Sequence, residues 1–198
     1  MTNNPQTDTN SAGWSDRYAA LLADAQQDIR NVNFEALREA YTQTPGYAPY
    51  SSPIAAQELR AALEAKEWAR AGYIAAELLD RDFLQLDLHG ALAQVFEQAG
   101  RTERADWHRA FIAGMINAIM NSGHGLTYDR AFRVVHVREE YEILNILGVR
   151  VLERALVEHA GRRYDAFRVN TKQGRPVTIH FDVEVMMGAI QLDNLPNK

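Results

Sequence analysis

The chain has no cysteine, which excludes disulfides, thiolate metal ligation and a cysteine nucleophile together. It also lacks a concentrated basic stretch. Lys and Arg total 21 against 26 Asp and Glu, a formal charge of −5. The densest basic cluster is only Arg162-Arg163 with Arg168 nearby. A nucleic-acid binder would gather such charge on one face, so nucleic acid is not an expected partner. No apolar run reaches bilayer length. The longest, around Phe111 to Met120, is about half a spanning helix and is interrupted by Gly114 and Asn117. A membrane partner is therefore not expected. Residues 1–13 are mostly small and polar, without the apolar run of a secretory signal, so they are expected to be a disordered tail in a cytoplasmic protein.

What is present is ordinary globular material, 46% hydrophobic and 24% charged over 198 residues, enough for one domain or two small ones. From Trp14 the pattern is helical. Ser15 can cap a helix carrying Tyr18, Leu21, Leu22 and Ala25, and Asn33 a second with Phe34, Leu37 and Tyr41. Thr44-Pro45-Gly46 ends the second, and Ser52-Pro53 opens a third. A self-similarity follows. Leu59 aligns with Ala93, Ala62 with Phe96, Lys66 with Gly100 and Ala71 with Ala105, always at an offset of 34, the period of a tetratricopeptide repeat. The first unit is degenerate, with Phe83 where many such repeats carry proline. Two units need flanking helices and the C-terminal segment as caps. The last repeat helix runs from Thr102 to about Asn121, with Gly123 suited to a left-handed cap.

After Tyr128 the apolar period drops to two. Strands are expected at 131–137, 151–159, 164–170 and 176–185, the last two joined by a loop over 171–175. A helix over 138–147, closed by Gly148, sits among them. The expected fold is α+β: a TPR-like hairpin stack over 14–125, and over 126–198 a small antiparallel sheet with one helix, packed on the helical region.

Several motifs in order and spacing resemble an uncharacterised bacterial family, domain of unknown function 4919. They are Asn33-Phe34-Glu35-Ala36-Leu37-Arg38-Glu39-Ala40-Tyr41 with Thr44-Pro45-Gly46-Tyr47-Ala48-Pro49-Tyr50, then Leu86-Asp87-Leu88-His89, Trp107-His108-Arg109, Asn121-Ser122-Gly123-His124-Gly125 and Glu139-Glu140-Tyr141. The family favours an acidic residue where His124 stands, and many members carry a secretion signal. The resemblance supports the fold and implies no activity.

Catalytic constellations are sparse. The six histidines lie in different elements, with no pair at the spacing of HExxH, so no metal or cofactor is expected. His89 and His108 suit hydrogen bonds within the stack. Glu139 and Glu140 are adjacent on a helix and cannot face each other, whereas acidic charge suits a helix start. Ser122-Gly123-His124-Gly125 lies at a helix C-terminus, the wrong end for an anion, and no Gly-Lys-Ser/Thr or Gly-x-Ser-x-Gly occurs. Arg38 with Tyr41, Tyr47 and Tyr50 is a candidate partner site of hot-spot composition, or else a staple holding the connector. Gln57, Arg60, Asp87, Gln94 and Glu97 are expected to line the concave face of the repeats. The leading expectation is a non-enzymatic module that binds a protein or peptide through Arg38, Tyr41, Tyr47, Tyr50, Arg60, Asp87 and Gln94, or along a sheet edge. The alternatives are a hydrolase-like enzyme using His108, His124 and Glu140, and a structural subunit of a homo-oligomer.

Overall fold

The computed structural model describes residues 5–50 and 55–193. They form α1 (Pro5–Gln27), α2 (Phe34–Thr42), α3 (Ala55–Glu64), α4 (Trp68–Leu79), α5 (Leu86–Gln98), α6 (Thr102–Ser122), β1 (Phe132–Arg133), α7 (Val137–Leu147), β2 (Arg150–His159), β3 (Arg162–Asn170), β4 (Pro176–Asp182) and α8 (Glu184–Asp193). The class is α+β, helical first and with a small sheet near the C-terminus. None of the described helices is long and apolar enough to cross a membrane. The expected tail is helical from Pro5 onward, since proline suits a first helical position and adding turns to a formed helix costs little. Residues 1–4 and the start at Ser52-Pro53 lie outside the described residues.

Two compact units interleave along the chain. One comprises the described residues of Met1–Ala19, Glu35–Tyr50 and Ile116–Lys198, the other those of Ala20–Phe34 and Ser51–Met115. The sequence boundary at residue 125 marks where the sheet segment begins, but the units cut across it, because residues 35–50 and 116–125 belong with the sheet.

In the helical unit, α3–α4 and α5–α6 are hairpins with the same turn. Lys66 and Gly100 have φ of 58° and 69°, and the amides of Glu67 and Arg101 each donate at 2.8 Å, to Ala62 and Phe96 oxygen. Glycine takes the left-handed conformation at no steric cost, whereas Lys66 bears a penalty of roughly 1–2 kcal/mol. Ala71 and Ala105, also 34 apart, are both 0% exposed. Leu59, Ala62, Ile74, Leu78, Leu88 and Leu92 fill the core between them. Phe83, at the expected proline position, instead seeds an aromatic cluster. Its ring lies edge-on to Phe111 at 5.4 Å and to His89 at 5.1 Å, and Phe34 meets Phe111 at 5.5 Å.

Gly114 belongs to this packing. A Cβ there would lie 2.0 Å from Phe34 Cε2. Gly114→Ala should therefore destabilise by roughly 1–3 kcal/mol through overpacking, against the gain of about 1 kcal/mol that helix propensity alone would give. A thermal melt showing stabilisation would place Phe34 elsewhere.

In the sheet unit the strand order is β1-β4-β3-β2. β2, β3 and β4 are antiparallel neighbours as expected, but β1 pairs parallel to β4, Phe132 beside Phe181, so the sheet is mixed. The expected seven-residue strand over 131–137 shortens to two, because side chains rather than a strand meet its outer edge. β4 stops at Asp182, whose carboxylate accepts from the Glu184 amide at 3.1 Å and starts the unexpected α8. α7 ends at Gly148 with φ 64°, as its position suggested. After α6 the left-handed residue is Gly125 (φ 73°), not Gly123. Gly123 is required by proximity instead: a Cβ would sit 2.3 Å from Arg130 oxygen. Phe132, Ile143, Phe167, Ile179, Phe181 and Met186 form the core.

Candidate functional site

The short β1 leaves the outward backbone groups of residues 133–137 to be satisfied by other means. Arg133 N–H donates to Ser122 Oγ at 2.8 Å, and Arg133 oxygen accepts from Arg38 Nη2 at 2.8 Å. Val135 N–H donates to Glu139 Oε2 at 2.8 Å, and Val135 oxygen accepts from Tyr47 Oη at 2.7 Å. Val137 N–H donates to Pro49 oxygen at 3.0 Å. Five consecutive edge groups are thus matched, and the connector after α2 stands where a further strand would run.

Arg38 and Glu139 make this arrangement rigid. Arg38 Nε and Nη2 reach the two Glu139 oxygens at 3.2 and 2.8 Å, and both side chains are 5% exposed. Such a bidentate fork is geometrically specific. Tyr41 is buried, its ring 5.2 Å from Tyr47 and 5.6 Å from Tyr18. Burial, with the Glu139 charge adding to it, pushes the Tyr47 phenol up. Tyr50 is the exposed member, 40% accessible, with its hydroxyl 3.2 Å from the Met187 sulfur. Arg38, Tyr41 and Tyr47 thus face inward, and Tyr50 alone of the four is exposed.

Glu139 and Glu140 do not form a dyad, as their adjacency requires, but each finds a partner elsewhere. Glu140 is fully buried and its carboxyl meets Asp165 of β3 and Arg154 of β2, Arg154 Nη2 standing 3.3 Å from Oε2. Arg154 also binds Asp165 directly. Burial and then the Asp165 charge push the Glu140 carboxyl up to about 9, the Arg154 attraction being the weaker influence. Neither Glu140 oxygen accepts a well-aligned hydrogen bond. That suits a protonated acid, whose own O–H can donate to Asp165. Asp165 and Arg154 were not singled out from sequence. The signal was there: Asp165 lies two residues before Phe167 and four before Val169, a charge on the apolar face of a strand.

In the helical unit, His89 and His108 meet Nδ1 to Nδ1 at 2.9 Å, and His89 Nε2 lies 2.8 Å from Phe83 oxygen. A carbonyl only accepts, so in the neutral pair His89 carries its proton on Nε2 and His108 on Nδ1. Burial pushes both imidazoles down to about 4. Arg60, Asp87 and Gln94 are exposed on α3 and α5, as are Gln57 and Glu97. The seven expected partner residues are therefore divided between the two units. His124 Nδ1 accepts from the Leu126 amide at 3.1 Å, and the contacts of His108, His124 and Glu140 bring none of the three together. No group of three or more His, Asp or Glu suited to a metal occurs among the described residues.

These features define an α+β protein in which Arg38 and Glu139, and His89 and His108, form buried internal pairs. Residues 7–191 match the model of a family described as "Domain of unknown function (DUF4919)", and the chain belongs to that family. No curated protein and no solved structure matches the chain.

Proposed function

We propose that the protein is a non-enzymatic partner-binding module, and that it takes up an extended protein or peptide segment along the outer edge of β2. The observation that carries this reading is the contrast between the two ends of one sheet. The β1 edge is matched group for group by side chains and connector, whereas β2, ten residues long and mostly exposed, has no strand on its outer side among the described residues. A partner strand there would bond through its main chain and choose its register by side chains. Leu156 (54% exposed) and the exposed Tyr141, which contacts Arg154 of β2, offer apolar contacts beside that edge. The matching turns at Lys66 and Gly100 support a TPR-like pair of hairpins, with Arg60, Asp87 and Gln94 as a second surface.

A photo-crosslinking side chain at position 156 should attach to one defined partner segment, and the same probe at position 94 should not. Crosslinks at 94 alone would move recognition to the hairpins, and none at either position would reject the module.

A further inference from the structure

A cleft of about 390 Å³ lies at the opposite, matched end of the sheet. Ala118, Val134, Val135 and Val185 supply its apolar lining. Two ion pairs also line it. Arg133 Nη2 is 2.7 Å from Glu35 Oε1, and Arg162 Nη2 is 2.6 Å from Asp182 Oδ2. The Arg133 and Arg162 side chains are 61% and 52% exposed. Arg38 also lines the cleft, but Glu139 already engages its guanidinium.

The occupant of such a cleft is constrained in three ways. A strand cannot dock by its backbone, because the wall at Arg133 and Val135 has its N–H and C=O groups already bonded. The lining charges balance, Arg38, Arg133 and Arg162 against Glu35, Glu39 and Asp182, so the cleft offers no net attraction to a phosphate or another polyanion. A guanidinium has five N–H donors, and an ion pair exposed on both sides is weak. Arg133 can thus turn a bidentate fork to a ligand carboxylate while Glu35 receives an ammonium, whereas Asp182, 13% exposed, already accepts from Arg162 and from the Glu184 amide. The volume lies at the lower end of small-molecule sites, about 300–1,000 Å³.

We infer that this cleft binds a free α-amino acid with an apolar side chain, its carboxylate on Arg133, its ammonium on Glu35, and its side chain against the valines of the lining. The inference does not depend on the β2 reading, which concerns the other end of the sheet.

The test is an amide NMR titration of the full chain with L-leucine, N-acetyl-leucine and leucinamide, to about 20 mM, where millimolar affinities saturate. Leucine should shift the resonances of residues 133–135, and the two analogues, each lacking one charge, should bind at least about tenfold more weakly. Arg133→Gln and Glu35→Gln alter exposed side chains, so their melting should stay close to wild type while leucine affinity falls by a similar factor. No shift with leucine, phenylalanine or valine would overturn the inference. So would equal binding of either analogue, or wild-type leucine affinity in both variants.

Discussion

Replacing Arg38 by alanine should lower folding stability by about 3–5 kcal/mol, the cost of leaving Glu139 as an uncompensated buried charge. The loss goes beyond the ion pair, since Arg38 also donates to Arg133 oxygen and Glu139 also accepts from Val135 N–H. One deletion therefore unties the matched edge at several points. Arg38→Lys should recover little, because one ammonium cannot reproduce a planar fork that serves two Glu139 oxygens and a carbonyl. Glu35→Ala, which removes the exposed partner of Arg133, should cost less than about 1 kcal/mol. Denaturant unfolding of the three variants measures this order. A near-neutral Arg38→Ala would mean that Glu139 reaches water.

Stability should also fall as pH rises from 7 to 9, by about 2 kcal/mol, because of Glu140. Its folded pKa of about 9 lies above the ordinary value of 4.5, so the folded state holds a proton that the unfolded chain releases. The contribution is fully present below 4.5 and is lost as pH climbs through 9. The histidine pair acts in the opposite sense. With folded values near 4 against 6.5 unfolded, its contribution is intact above 6.5 and lost as pH falls toward 4. Between 4.5 and 6.5 two histidines oppose one carboxyl, so stability should peak near neutrality. Glu140→Gln keeps the shape and can still donate to Asp165, so its curve should be flat from pH 7 to 9 and unchanged in its acid limb. A wild-type curve that is flat over the same range would mean that Glu140 is ionised in the folded state.

Features determined by neighbours in sequence were legible in advance. The turns at Lys66 and Gly100, the cap at Gly148 and the β3–β4 hairpin each depend on a few adjacent residues, and periodicity or glycine placement exposes them. Features set by distant pairing were not. Arg38 and Glu139 stand 101 positions apart, and composition alone made the arginine look like a surface hot spot rather than half of a buried pair. The glutamates read as helix-start charges, which they also are, because nothing local revealed Arg38, Asp165 or Arg154 as their partners. Val183 and Val185 continued an apolar alternation past β4, whereas Asp182 as a cap was the better guide to α8. Parallel pairing of β1 with β4 joins segments nearly fifty residues apart, beyond what alternation can order.

Among the described residues the sheet has one matched edge and one edge without a neighbouring strand, and amide hydrogen exchange tests that contrast most directly. The amides of Arg133, Val135 and Val137 should be strongly protected despite lying outside any strand pair on that side, while alternate amides of β2 exchange rapidly in the isolated protein. Protection at all three should collapse in Arg38→Ala before the β3–β4 pairing is lost. Rapid exchange at 133 and 135 together with uniform protection along β2 would contradict the account, since it would show the open edge to be the one that the molecule keeps closed.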